Sequence, residues 1–223
     1  MKAYPVQLEI AGATAMWTRP DTGDCPVSYP APTYSAVKGI FESILWGPAV
    51  QVIPTKLEIC APIQYHNYQT NYGGPLRKSS IMATGGGFQL LATVLIDVSY
   101  RLYAEVIPVT PETKNRINEK AVSWDKNTTS PGHAYQSIFN RRVSRGQCFC
   151  IPFLGWKEFG PSYFGPFRSG TNVENAINMT IPSMLREVFS DGFASVAGRF
   201  TFDQNVAIEN GVIDFMQTGG AYA

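Results

Sequence analysis

The sequence predicts an α+β fold, and three observations carry the prediction. Runs of alternating apolar and polar residues recur along the chain, two segments place apolar residues at helical spacing, and Pro- or Gly-rich stretches separate them. With 223 residues, 44% of them hydrophobic, the chain can bury one sizeable core, or a main domain plus a small appendage. Residues 5–10 alternate as a strand, and 13–18 continue it past a break at Gly12. A Pro/Gly/Asp-rich loop runs to Pro32. Thr33 then reads as the N-cap of a helix whose Ala36, Val37, Ile40, Phe41, Ile44 and Leu45 form one stripe. Trp46, Gly47 and Pro48 end that helix.

Residues 50–65 read as one long strand, with Pro54 and Pro62 marking an edge or bulges. Residues 66–87 read as a polar, Gly-rich loop insertion. Residues 87–108 hold two β-rich runs, the second with Val98, Tyr100 and Leu102 alternating against Ser99, Arg101 and Tyr103. A polar stretch, 109–132, leads into a second helix, and strands are expected at 148–153 and 156–159. The order β-α-β-β-α-β over residues 5–159 predicts a ferredoxin-like domain, the framework of RNA-recognition motifs, spanning residues 1–168. Residues 169–223, with helix signals at 183–190 and strands near 199–203 and 206–215, read as a small β-rich C-terminal subdomain.

Charge is unevenly spread. The net charge is only +1, yet residues 114–170 hold nine Lys/Arg against three Asp/Glu, while 171–223 hold two against six. A near-neutral total thus hides a basic segment, as in a protein with one nucleic-acid face and other faces for protein partners. The second helix concentrates it. Arg141 and Arg145 are i,i+4 neighbours with Arg142 beside them, Ile138, Phe139 and Val143 lie toward the other side, and Gly146 is the expected stop. Three arginines with no acid among them call for an anion opposite, and a phosphate backbone is the commonest fixed polyanion. A solvated helix face is the plain alternative.

Several chemistries are absent from the pattern. Cys25, Cys60, Cys148 and Cys150 show no metal spacing, and Cys148 and Cys150, two apart, read as core or spectators. Glu9, Glu42, Glu58, Glu105 and Glu158 are scattered, so no metal nuclease site and no cofactor are expected. Gly85–Gly87 lacks the lysine and the strand-to-helix context of a phosphate loop. No apolar run approaches the roughly 18 residues of a membrane span, so a cytoplasmic location with reduced thiols is expected. The sequons at Asn127 and Asn178 then carry no meaning.

Two blocks point to a family. The first is Ser28, Tyr29, Thr33, Ala36, Gly39, Ile40, Glu42, Ile44, Trp46 and Pro48. The second is Phe139, Arg141, Arg142, Gly146, Gln147, Pro152, Leu154, Gly155, Glu158 and Phe159. In that order and spacing they resemble CRISPR-associated protein family five, the type I-C (subtype d) branch of the repeat-associated RNA-binding superfamily. The resemblance implies a subunit that grips the 5′ handle of CRISPR RNA and caps one end of a Cascade filament. There it would meet the backbone and large subunits, with target DNA read only indirectly, by guide base pairing. Arg141, Arg142, Arg145 and Lys157 are the leading phosphate candidates. Lys38 on the first helix, and Arg77 and Lys78 in the 66–87 insertion where relatives carry a hairpin that reaches toward RNA, are further ones. Tyr34 and Trp46 have rings that could stack, although Trp46 reads more readily as core.

In that branch many members also cut repeat RNA without metal, using a tyrosine just before the first block's Trp and a Lys-His pair before the second block. Here the tyrosine position is Leu45, which cannot transfer a proton. The Lys-His position is Ala134–Tyr135 or His133–Ala134, depending on how the segment before Phe139 is counted, and the lysine is missing either way. His133, with Tyr135 or a nearby arginine assisting, is the remaining candidate for catalysis. Three readings stay open: a guide-binding subunit that does not cut, an endoribonuclease that retains its product, and an unrelated ferredoxin-like protein that binds other proteins.

Overall fold

The computed structural model describes residues 3–72, 88–109, 131–188 and 200–218. The alternation seen at 98–103 organises the main sheet. In strand β4 (Phe88–Pro108), Val98, Tyr100, Leu102, Ala104 and Val106 are buried on one face, with Ser99, Arg101 and Tyr103 pointing to the other. On one side β1 (Tyr4–Ala15) pairs antiparallel, setting Leu8 opposite Leu102 and Ile10 opposite Tyr100. On the other side β2 (Val50–Ile59) sets Leu57 and Ile59 against the same two residues. The register shifts between Pro54 and Lys56, a bulge at the proline that cannot donate to the ladder. The two β-rich runs of 87–108 are one strand, with Asp97 in the left-handed region (φ 53°) between them. Its first half pairs with β3 (Tyr65–Tyr72).

Two short strands complete the sheet. β5 (Tyr163–Gly165) joins the outer edge of β1, and β8 (Val212–Asp214) joins that of β2, giving the order β5-β1-β4-β2-β8 with every neighbour antiparallel. Helices α1 (Tyr34–Ile44) and α2 (Pro131–Ser144) cover the apolar face. Thr33 caps α1 as expected, its hydroxyl accepting the Ala36 N–H at 3.2 Å. Val37, Ile40, Phe41 and Ile44 from α1 meet Tyr135, Phe139 and Val143 from α2, and the rings of Phe41 and Phe139 stack at 5.5 Å. α2 stops at Gly146 (φ 63°), where the N–H groups of Gly146 and Gln147 return to the Val143 and Arg142 carbonyls, a Schellman closure.

The C-terminal region forms a second sheet from β6 (Met179–Glu187) and β7 (Thr201–Ile208), followed by β8 and the single-turn α3 (Phe215–Thr218). Ile181, Met184, Val206, Ile208 and Phe215 join the same apolar core as the main sheet. The helix expected at 183–190 is therefore corrected: residues through Glu187 are strand. Met, Leu, Arg and Glu favour a helix in isolation, but pairing with β7 and burial of Ile181 and Met184 override that preference.

Three further expectations change. The long strand at 50–65 breaks after Ile59, and residues 60–64 turn the chain so that the start of the 66–87 insertion becomes β3. A turn at Asn210 and Gly211 (φ 50° and 75°) separates the strands at 201–208 and 212–214 and passes the chain from the second sheet to the main one. The strands expected at 148–153 and 156–159 are irregular chain, and the fourth strand of the series arrives later as β5. Their backbone groups are engaged elsewhere. The Leu154 N–H donates to the Phe159 carbonyl (2.7 Å), and the Met16 N–H donates to the Leu154 carbonyl (2.8 Å). Leu154 is fully buried, and Gly155 has φ 92° with no space beside it, since a Cβ there would lie 1.8 Å from the Met16 carbonyl oxygen. The Leu-Gly-x-x-x-Phe stretch is a plug against the end of β1.

The other face of the sheet is charged. Arg101 of β4 stands directly between Glu9 of β1 and Glu58 of β2. Glu9 is wholly buried, and its carboxylate accepts the Arg168 N–H (2.9 Å), the Arg168 guanidinium (2.6 Å) and the Thr171 hydroxyl (2.8 Å). Arg101 donates to the Arg168 and Thr171 carbonyls, so this cluster ties the 166–171 segment across the sheet. Burial works to raise the Glu9 carboxyl, but the Arg168 and Thr171 donors outweigh it and hold it below the usual 4.5. Glu9 therefore stabilises the fold fully above pH 4.5 and loses that contribution as the pH falls through its lowered value. Melting temperature should fall more steeply below pH 4.5 in wild type than in Glu9→Gln, measured by circular dichroism across pH 3–7; parallel curves would exclude the cluster as the cause. Leu154→Ala should lower unfolding free energy by about 2–5 kcal/mol in a urea titration, because truncating this fully buried side chain leaves a cavity in the core.

Candidate nucleic-acid interface

A helix leaves its last carbonyls without partners inside the helix, and at the end of α1 they are answered from outside. The Ser43 carbonyl accepts the N–H groups of Phe149 and Cys150, both at 3.0 Å. The Ile44 carbonyl accepts the Phe149 N–H at 3.2 Å and the Arg142 guanidinium at 2.5 Å. The Leu45 carbonyl accepts the Tyr135 hydroxyl. The end of α1 is thus closed by α2 and by the loop that follows it.

This closure sorts the residues that the sequence singled out. Arg142 is half-buried, its guanidinium turned onto α1, so the face of three arginines becomes a face of two. Arg141 and Arg145 are exposed, and among the described residues no carboxylate pairs with either. Tyr135 is buried. Its hydroxyl is held far above the ordinary range by burial first and by the Glu42 carboxylate second, with Arg142 acting the other way. A phenol so placed keeps its proton and donates its hydrogen bond to the Leu45 carbonyl.

His133 is exposed in the first turn of α2, edge-on to Tyr4 at 6.3 Å between ring centres. His133, Ser137 and Arg141 lie at i, i+4 and i+8 on one exposed strip of α2. The histidine and Arg141 are therefore separated by roughly 12 Å along the axis. Lys38 is half-buried on α1, four residues before Glu42; burial raises the Glu42 carboxyl while Lys38 pulls it down. Lys157 is exposed in the turn that follows Trp156. Arg77 and Lys78 lie outside the described residues.

The two rings behave opposite to expectation. Tyr34 is buried beneath the Arg186 guanidinium (4.1 Å to its centroid) and edge-on to Phe215, so it cannot stack on a base. Trp46, expected in the core, is 58% exposed. Three residues that sequence reasoning passed over join it at the surface: Phe149, 80% exposed, Ile151, 71%, and Phe153, 42%. The strand expected at 148–153 hides them, because it would set Phe149, Ile151 and Phe153 together on one face. The available signal is the Phe-Cys-Ile-Pro-Phe run directly behind an arginine-bearing helix and its glycine stop.

Among the described residues, then, Arg141 and Arg145 are exposed on α2, and Trp46, Phe149 and Phe153 are exposed around the closed end of α1 and in the loop after α2. The family described as "CRISPR-associated protein (Cas_Cas5)" matches residues 6–212, which covers both blocks, the closed helix end and the plug. The chain belongs to the Cas5 family. It is 29% identical over 234 residues, spanning 95% of both chains, to the "CRISPR pre-crRNA endoribonuclease Cas5d" of Mannheimia succiniciproducens. It is 26% identical over 195 residues to the protein of the same name from Thermus thermophilus, covering 87% of this chain and 76% of that one. Two solved structures share the fold. One, described as a CRISPR-associated protein, superposes with a TM-score of 0.67 at 19% identity, covering 96% of this chain and 93% of its own. The other, the functionally uncharacterized protein SMU1763c from Streptococcus mutans, gives 0.69 at 18% identity, with 96% and 94% covered. Among the described residues of this Cas5 chain, no helix is long and apolar enough to cross a membrane.

The arginines separate by experiment. Arg142→Ala should lower unfolding free energy by about 1–3 kcal/mol, since it removes a charged donor from a helix-end carbonyl. Arg141→Ala with Arg145→Ala should leave stability within about 0.5 kcal/mol. The double variant should instead flatten the salt dependence of RNA binding, lowering the slope by about 0.7 for each single-strand phosphate that is no longer neutralised. An unchanged slope in filter binding would remove both side chains from the RNA site.

Proposed function

We propose that this Cas5 chain binds the 5′ handle of a CRISPR RNA and caps one end of a type I Cascade surveillance complex without cutting the RNA. The observation that carries the binding half is the exposure of Arg141 and Arg145, which no carboxylate among the described residues pairs, together with the exposure of Trp46 and Phe149, which flank the closed end of α1. Guanidiniums hold phosphates and rings accept bases, so such a surface grips a short single strand. The names of the two relatives give pre-crRNA as their substrate, which supports RNA as the ligand here. Partners on this reading are the CRISPR RNA, a Cascade backbone subunit and the large subunit, with target DNA met only through the guide, in the cytoplasm.

The strand order β5-β1-β4-β2, with α1 and α2 on one face, supports reading residues 1–168 as a ferredoxin-like RNA-binding unit. β3 is then an addition to it, and residues 169–223 the C-terminal subdomain that extends its sheet and core.

The absence of cutting rests on two positions. Leu45 stands where the resemblance implies a tyrosine, and its carbonyl occupies the hydroxyl of Tyr135, the tyrosine left to assist His133. A second reading, a metal-independent endoribonuclease that keeps its product, draws on the relatives' names and on the exposure of His133. The two separate on a denaturing gel. Incubated with end-labelled repeat RNA in EDTA, the protein should bind on a native gel and leave the RNA intact. One discrete cut that disappears in His133→Ala would establish the endoribonuclease instead.

A further inference from the structure

Phe149 and Ile151 are the most exposed large apolar side chains among the described residues, and Trp46 is exposed as well. Their exposure does not come from a loose loop. The Phe149 N–H is shared between the Ser43 and Ile44 carbonyls, and the Cys150 N–H also donates to Ser43. The Arg142 guanidinium binds Ile44 from the α2 side. Trp46 follows Ile44 by two residues, so the indole and the Phe149 ring project from one hydrogen-bonded junction. These four bonds fix the Phe149–Cys150 segment and Arg142 onto the end of α1, two residues before Trp46, and both rings remain exposed.

The surroundings decide what covers them. Gly146 ends α2 three residues before Phe149, so the exposed Arg145 precedes Phe149 by four residues and the exposed Arg141 stands one helical turn before Arg145. No carboxylate among the described residues neutralises these arginines. A partner protein would have to bring both an apolar surface and free acids. Single-stranded nucleic acid carries both features in every nucleotide, a flat base and a phosphate.

Resting on the RNA-binding reading above, we infer that Trp46 and Phe149 are a base-stacking platform for successive nucleotides of the bound RNA, with Arg141 and Arg145 holding the phosphates beside it and Ile151 closing its edge. Stacking on a pre-set ring is tolerant of base identity, so the platform adds affinity and fixes the path of the strand without reading sequence. It also gives the Trp of the first block and a Phe within the span of the second a joint task, although about a hundred residues separate them.

The test uses repeat RNA fragments carrying 2-aminopurine at successive positions, titrated with wild type, Trp46→Ala, Phe149→Ala, Phe149→Leu and the Arg141→Ala/Arg145→Ala double variant at two salt concentrations. Both rings are exposed, so thermal melts of these variants should match wild type. Wild type should quench 2-aminopurine at one or two adjacent positions. Each ring variant should relieve that quenching and weaken binding about 5- to 100-fold with an unchanged salt slope, and Phe149→Leu should behave as Phe149→Ala because bulk alone does not stack. Ring variants that bind and quench as wild type does, while the arginine variant still loses slope, would overturn the platform, leave RNA binding standing and make the patch a protein-docking surface. Absence of RNA binding by every form would overturn the RNA reading and the platform together.

Discussion

The end of α1 supplies three carbonyls in succession, from Ser43, Ile44 and Leu45, and each is met by a donor from α2 or the loop behind it. Much of the candidate interface follows from that closure. It draws Arg142 and Tyr135 inward, leaves Arg141 and Arg145 outward, and anchors the backbone of Phe149 to the carbonyls just before Trp46. The rings of Phe41 and Phe139 stack between the same two helices, so the closure rests on a packed aromatic pair. The basic helix and the aromatic loop thus form one arrangement with two products: a sealed helix end inside and a cationic, aromatic surface outside.

The two faces of the main sheet divide the remaining work. The apolar face, through Leu8, Ile10, Tyr100 and Leu102, carries the helices and therefore the interface. The opposite face is held by charge, with Glu9, Arg101 and Arg168 fastening the 166–171 segment over the strands. A buried carboxylate is costly unless its lone pairs are filled, and here three donors fill those of Glu9. The plug at Leu154 and Gly155 locks the loop to the end of β1 from a third direction. Several positions in the second family block, including Arg142, Leu154, Gly155 and Phe159, accordingly serve architecture, while Arg141 stands open to a ligand.

Legibility in the sequence follows the strength of local patterning. The Thr33 cap, the stripe of α1, the alternation at 98–103 and the Gly146 stop each depend on neighbours within a turn or a strand, and each is present. The elements that differ from expectation depend on distant partners. Residues 148–153 look like a strand until their N–H groups are seen to serve the end of α1, more than a hundred residues earlier. Residues 179–187 become strand only because β7 pairs with them. The same holds at the candidate site. That Arg142 and Tyr135 are internal donors, and that Trp46 is exposed, is decided by which carbonyls α1 leaves open, and no periodicity in the chain records it.

On this reading, bound RNA lies across the junction of α1, α2 and the loop after Gly146. Zero-length ultraviolet crosslinking of repeat RNA to the protein, with the linked peptides identified by mass spectrometry, tests that location. Crosslinks concentrated in the peptides that contain Trp46 and Phe149 are the expected result. Crosslinks confined to the charged face around Arg101, Arg168 and Thr171, with the junction unmodified, would put the RNA on the opposite side of the sheet and refute that location.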